Sequence, residues 1–292
     1  MARRRMKADT AHIRAAIFDL DGVIYRGRTA VPGGSDTVEW LRSRSIASYF
    51  FTNNSTRTRQ SYVELLRGFG ITADADHIVT SASLTAGYLR EKYDGGKATV
   101  LVVGEGGLAE ELRGAGMRVV RRHTAGPIDA VVVGMDRRFT YLKLYEAQQA
   151  LRAGAAFIAT NRDATYPVEG NVIPGGGSVV AAVATAAERE PVLIGKPSRM
   201  SGVLITHEAG VKPSEALMVG DRIETDIVGA RRAGVWTVMV LTGISTLEEA
   251  RATPDRAKPH WVIKSIAGIP KLVRDLEAGR TKPFDWVKGG VR

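Results

Sequence analysis

Short apolar runs rich in valine, isoleucine and phenylalanine alternate along the chain with segments whose apolar positions recur at helical spacing. The runs predict strands at Ala15–Asp19, Ala47–Thr52, Thr99–Val103, Ala130–Val133, Phe157–Ala159, Ala216–Val219, Thr237–Val240 and Trp261–Ile263. The periodic segments predict helices at Asp36–Ser43, Arg59–Phe69, Leu84–Tyr93, Leu108–Ala115, Leu142–Arg152, Val179–Glu188, Met200–Ala209, Thr225–Ala233 and Ile266–Leu276. Strands that keep alternating with amphipathic helices build a parallel sheet with crossover helices, so the predicted class is α/β. The ends, Met1 to His12 and Gly279 to Arg292, mix Gly, Pro and charge without periodicity and are expected to be frayed or loosely docked.

A chain of 292 residues, 44% hydrophobic, can bury a full core, and its length fits two domains of ordinary size. It has no cysteine, which excludes a disulfide framework, a thiolate zinc site and a cysteine nucleophile. No apolar stretch approaches the roughly 18–20 residues that cross a bilayer. The basic start Met1-Ala-Arg-Arg-Arg is not followed by an apolar signal core, so the expected compartment is the cytoplasm, with no membrane partner. The formal net charge of +10 is spread along the chain, with short runs only at Arg3 to Arg5 and Arg121-Arg122. Solvated surface charge that attracts anionic substrates is therefore expected, and not nucleic-acid binding.

Four segments carry candidate chemistry. In Ala15-Ala-Ile-Phe-Asp19-Leu-Asp21-Gly22 an apolar strand ends in two carboxylates one residue apart, which extended backbone points the same way. Ligands of open α/β sheets bind at that carboxyl edge. A carboxylate is ionised at neutral pH and can attack phosphorus without a base, which makes Asp19 the candidate nucleophile. Its charge raises the pKa of a neighbouring carboxyl, which suits Asp21 to general acid and base work. In Tyr49-Phe-Phe-Thr52-Asn53-Asn54-Ser55, hydroxyl, amide and backbone donors end another strand, so Thr52 and Asn53 are candidates to hold phosphate oxygens. In Gly195-Lys196-Pro197, after a short strand, Lys196 is placed to offset repulsion between carboxylate and phosphate. In Ala216-Leu-Met-Val-Gly220-Asp221-x4-Asp226, Asp221 offers magnesium an oxygen ligand. Asp226, in a first helical turn, is equally suited to capping the helix dipole. Taken singly, each segment also reads as an ordinary turn or helix start.

Together and in this order, the four segments resemble the haloacid dehalogenase superfamily, from about Ala15 to Leu276. The resemblance implies a Rossmann-like core with a parallel sheet and an inserted α/β cap. It makes Asp19 the nucleophile, Asp21 the acid and base, and Thr52 and Lys196 phosphate contacts. Magnesium would be held by Asp19, Asp221 and the backbone carbonyl of Asp21, with Asp226 orienting Lys196 or metal-bound water. Family members that dehalogenate lack the second aspartate, so Asp21 points to phosphate ester hydrolysis.

More than a hundred residues separate the Thr-Asn-Asn and Gly-Lys-Pro segments, too many for a loop. They are expected to form the cap, 83–190, with 1–82 and 191–292 as core. Gly22-Val-Ile-Tyr25, Thr-Asn-Asn-Ser and Gly-Lys-Pro-Ser-Arg-Met resemble the NagD-like branch, subfamily IIA, which includes p-nitrophenyl, phosphoglycolate, glycerol-phosphate and pyridoxal phosphate phosphatases. So does Thr160-Asn161-Arg162-Asp163-x3-Pro167 with Gly170 and Gly175-Gly-Gly-Ser178, where Asn161 and Asp163 are candidates for the substrate pocket. The glycine run is read as shaping that pocket, with anion binding as the alternative. Val103-Gly104-Glu105-Gly106-Gly107 lacks the third glycine of a dinucleotide fingerprint and is read as a structural turn. The five histidines, His12, His77, His123, His207 and His260, show no metal spacing.

The expected activity is thus hydrolysis of a small-molecule phosphate ester. A phosphotransferase or phosphomutase would carry the same motifs, and a phospho-ligand-binding protein without turnover stays open as a third reading. Cap-mediated dimers in similar proteins point to a homodimer through the cap.

Overall fold

The structure is a computed structural model that describes residues 12–95, 97–122, 126–168 and 171–288. Among the described residues fifteen strands follow in chain order: β1 Ala15–Asp19, β2 Tyr25–Arg26, β3 Thr29–Ala30, β4 Ala47–Thr52, β5 Ile78–Thr80, β6 Thr99–Val103, β7 Arg118–Val120, β8 Ala130–Val133, β9 Ala156–Ala159, β10 Thr165–Val168, β11 Asn171–Pro174, β12 Val192–Leu193, β13 Ala216–Gly220, β14 Trp236–Val240 and β15 Trp261–Ile263. One sheet has the order β15-β14-β13-β1-β4-β5 and a second the order β12-β9-β8-β6-β7. The pairings of β1, β13, β14 and β15 are parallel, as are those of β6, β7, β8, β9 and β12. The α/β expectation therefore holds. β13 and β14 are buried at every position and β8 likewise, because a parallel sheet covered on both faces needs continuous apolar runs.

Local chemistry set the ends of several helices. The helix Ser81–Lys92 starts ahead of the predicted Leu84 because Thr80 Oγ1 accepts the Ser83 N–H at 2.9 Å while Ser83 Oγ accepts that of Thr80 at 3.0 Å. The helix predicted over Thr225–Ala233 begins as a π turn, Ile223–Ile227, continues as Val228–Ala233, and stops at Gly234 with φ of 84°. The pattern did not announce β5, β7, the β2–β3 and β10–β11 hairpins or the helices Leu247–Ala252 and Asp285–Lys288. Elements that short contain too few residues to show a period.

One expectation is corrected. Residues 280–288 are not loosely docked: Trp286 is 5% exposed, packs with Ile223, Ile227, Met239 and Val262, and donates its indole N–H to the His260 carbonyl at 3.2 Å. A single large aromatic anchored a stretch that composition alone described as frayed. Residues Met1 to Ala11 and Gly289 to Arg292 lie outside the described residues, as do His123 and Gly170.

By compactness the chain forms two units. The first takes the chain up to Phe50, Phe69–Ile71 and the chain from Ile205; the second takes Phe51–Gly68 and Thr72–Leu204. The second unit has its own core, in which Leu101, Val103, Val131, Val133, Phe157, Val180 and Val183 are all buried. Among the described residues no helix is long and apolar enough to cross a membrane.

Candidate active site

In the first unit β1 runs parallel to β13 with Phe18 opposite Val219, which brings Asp19 level with Gly220 and the acids beyond it. Asp19, Asp221 and Asp226 each offer one carboxylate oxygen, and these oxygens lie within 4.8 Å of one another. Asp19 is half-buried, while Asp221 and Asp226 are 4% and 2% exposed. At that 4.8 Å limit, two like charges repel by about 3.5 kcal/mol at an effective dielectric constant of about 20. A buried trio of this kind needs positive charge, and three convergent hard oxygens suit a divalent cation such as magnesium.

Glycines make the trio possible. A Cβ on Gly22, whose φ is +80°, would sit 2.4 Å from Asp221 Oδ2, and one on Gly243 would sit 1.9 Å from it. Gly220 presses on Asp226 in the same way, at 2.3 Å from its Cβ. The Ile244 N–H donates to Asp221 Oδ2 at 2.9 Å, the Arg222 N–H donates to Asp226 Oδ2 at 3.1 Å, and the Thr242 hydroxyl donates to the Gly22 carbonyl at 2.6 Å. Sequence reasoning missed Thr242, Gly243 and Ile244; the available signal was a Thr-Gly pair just beyond the predicted strand Thr237–Val240. The carboxylate of Asp226, which the resemblance makes a residue that orients Lys196 or metal-bound water, is grouped with those of Asp19 and Asp221. The carboxylate of Asp21 is exposed and outside that trio, with the Tyr25 hydroxyl 3.5 Å from its Oδ2.

The second unit gathers the amide, hydroxyl and lysine side chains. Thr52, Asn53, Asn161 and Lys196 are all buried. Thr52 Oγ1 accepts the Asn54 N–H at 3.1 Å. Asn53 Oδ1 accepts the Lys196 N–H at 2.9 Å, and Asn53 Nδ2 donates to the Lys196 carbonyl and to Asp163 Oδ2, each at 3.0 Å. Asn161 Nδ2 donates to the Asn53 carbonyl at 2.8 Å, and its Oδ1 accepts the Asp163 N–H at 3.1 Å. Lys196 Nζ donates to the Phe51 carbonyl at 3.4 Å and lies 4.8 Å from the centre of the Phe51 ring.

The two glycine-rich turns have structural work in this unit. Gly107 receives the backbone of Arg57, which a Cβ would meet at 2.5 Å, and its N–H donates to Thr56. Gly175 and Gly177 would strike the carbonyls of Asp163 and Arg162 at 2.3 and 2.4 Å, and the Gly177 N–H donates to Asp163. Both runs let a second stretch of backbone pass at close range.

His260 is no ligand. It is 5% exposed, its Nδ1 accepts the Thr237 N–H at 3.0 Å, and its Nε2 faces Arg231. Burial, and then the Arg231 charge, push its pKa down to about 3.

The chain as a whole is similar to known proteins. Residues 16–118 match the haloacid dehalogenase-like hydrolase family, and residues 193–269 match the HAD-hydrolase-like family. Chronophin of Rattus norvegicus is 38% identical over 290 residues, covering 96% of this chain and 94% of its own. Glycerol-3-phosphate phosphatase of Gallus gallus is 36% identical, covering 93% and 97%. A glycerol phosphate phosphatase of Mycobacterium tuberculosis, solved with magnesium, superposes with a TM-score of 0.81 at 35% identity, over 90% of this chain and 78% of that one. NagD of E. coli K-12 superposes with a TM-score of 0.79 at 30% identity, over 87% and 97%.

Proposed function

The chain belongs to the haloacid dehalogenase-like hydrolases, in their NagD-like branch, and we propose that it is a cytoplasmic phosphatase that takes phosphate from small phosphorylated metabolites through an aspartyl-phosphate on Asp19. The observation that carries this reading is the trio of Asp19, Asp221 and Asp226, whose oxygens converge within 4.8 Å at the ends of adjacent parallel strands. Glycerol phosphate and sugar phosphates are the substrate classes that the related phosphatases bring to it.

In the proposed reaction a carboxylate oxygen of Asp19 attacks phosphorus and the bond from phosphorus to the ester oxygen breaks. Asp21 gives its proton to that oxygen as the alcohol leaves. Asp21, now ionised, takes a proton from water, which attacks the aspartyl-phosphate, releases inorganic phosphate and restores Asp19. Being exposed, the Asp21 carboxyl is open to both leaving group and water. Thr52 and Lys196 are the residues we assign to the phosphate, by a hydroxyl and a cation, and Asn53 by its backbone N–H alone. Asp19, Asp221 and the Asp21 carbonyl are assigned to magnesium, with Asp226 beside them; the ion supplies positive charge that screens the carboxylates from the incoming phosphate.

We assign 1–82 with 191–292 to the catalytic core and 83–190 to a cap that selects the leaving group, with Asn161 and Asp163 as its substrate residues. The helix Tyr141–Arg152 starts with Tyr141, Leu142 and Tyr145 exposed by 82%, 45% and 51%, which supports pairing of two copies through this part of the chain. Sedimentation of a Tyr145→Glu variant against the parent tests the pairing.

The decisive experiment is magnesium-dependent phosphate release from p-nitrophenyl phosphate and from a panel of metabolite esters. Asp19→Asn is expected to fold normally and release none. Undiminished turnover in that variant rejects the nucleophile, and transfer to an added alcohol in place of phosphate release favours a phosphotransferase.

A further inference from the structure

Asn53 entered as a candidate phosphate contact, yet its carboxamide is taken up by the protein itself. Its Oδ1 accepts the Lys196 N–H and its Nδ2 donates to the Lys196 carbonyl, so one amide clamps both backbone groups of one residue, at 2.9 and 3.0 Å. The same Nδ2 donates to Asp163 Oδ2 at 3.0 Å. Asn53 in turn is held from behind: its carbonyl accepts from Ser81 Oγ at 2.5 Å and from Asn161 Nδ2 at 2.8 Å. The approach is close enough that a Cβ on Gly195 would sit 2.7 Å from Asn53 Oδ1 and 2.4 Å from the Thr160 carbonyl.

We propose that Asn53 is a positioning residue: its side chain fixes Lys196, and ties it to the Asp163 loop, instead of binding phosphate. This rests on the phosphatase reading above, in which Lys196 serves the reaction. The residue type follows from the contacts. Only a carboxamide has both an acceptor for the Lys196 N–H and two donors for the Lys196 carbonyl and Asp163. An aspartate of the same shape would set its oxygens against the carbonyl and against the Asp163 carboxylate. Glutamine keeps the groups and moves them by one methylene.

The experiment compares Asn53→Ala, Asn53→Asp and Asn53→Gln with the parent on p-nitrophenyl phosphate in saturating magnesium. Because misplacing a reacting group by about 1 Å costs on the order of a hundredfold, kcat is expected to fall by about tenfold or more in Asn53→Ala and further in Asn53→Asp. KM should stay within about threefold of the parent, and Asn53→Ala should cost little more once Lys196 is alanine, since the two act as one unit. A large rise in KM with kcat kept, or an equal loss with and without Lys196, overturns the proposal. A second measurement does not depend on turnover: amine labelling of Lys196, read by mass spectrometry in Asn53→Asp and Asn53→Ala samples whose circular dichroism matches the parent. Lys196 is 4% exposed, so its labelling should be slow in the parent and faster in both variants; unchanged labelling overturns the proposal. If the parent hydrolyses nothing, the phosphatase reading fails, and the labelling still decides what Asn53 does for Lys196.

Discussion

Gly243 looks replaceable in a Thr-Gly-Ile-Ser loop, but Gly243→Ala should damage both fold and site. The added Cβ would lie 1.9 Å from Asp221 Oδ2, and ordinary contact begins at 3.4 Å, so the carboxylate must retreat by 3.4 − 1.9 = 1.5 Å. Asp221 is buried and its Oδ2 accepts the Ile244 N–H at 2.9 Å, so the retreat breaks that bond and crowds the site. Overpacking costs about 1–3 kcal/mol and a lost hydrogen bond to a charged group about 1.5–3 kcal/mol. The expected total is roughly 3–5 kcal/mol, a large share of a stability of about 5–15 kcal/mol. At about 2–4 °C per kcal/mol for a chain near this size, Tm should fall by roughly 6–20 °C. Moving a proposed magnesium ligand that far should also cut phosphate release by on the order of a hundredfold and raise the magnesium needed. Calorimetry with and without magnesium, with phosphate release on the same samples, reads both effects. Gly68→Ala is the control, since a Cβ there meets nothing within 4 Å. A Gly243→Ala protein that melts with its parent and keeps its rate and magnesium dependence would refute the packing argument.

Gly107→Ala should destabilise by roughly 1–3 kcal/mol, because the new Cβ would meet the Arg57 backbone, which cannot rotate aside, at 2.5 Å; thermal melting checks it. His260 gives a pH dependence with a definite sign. Its folded pKa, about 3, lies below its ordinary 6.5, so its contribution is complete above pH 6.5 and is lost as pH falls toward 3. Urea midpoints measured between pH 7 and pH 5 should show a loss approaching about 1.4 kcal/mol per pH unit from this group. His260→Phe should flatten that slope, and an unchanged slope would assign it to other groups.

The strands that hold the acids were legible because their signal is local. Ala15–Asp19 and Ala216–Val219 are apolar runs that end in acids, and both became buried neighbours in one parallel sheet. The short second-sheet edge β7 was not legible: it has three residues, and its pairing with β6, not its own pattern, makes it a strand. The Asp163 loop and Asn53 illustrate the same limit in the site. Both were named as candidates, but which groups their side chains would meet depended on approaches across more than a hundred residues.

By itself, the order of residues determined the α/β class, the strand ends that carry Asp19, Thr52 and Asp221, and the type of chemistry we propose for those groups, because periodicity and functional-group inventory are properties of neighbours along the chain. Tertiary structure alone decided that Asp226 joins Asp19 and Asp221, that Asn53 clamps a lysine 143 residues away, that Gly22 and Gly243 must leave room for Asp221, and that Trp286 closes the C-terminal end onto the core. Those outcomes turn on distances of a few ångströms between segments remote in sequence, and only the packing of the sheets sets such distances.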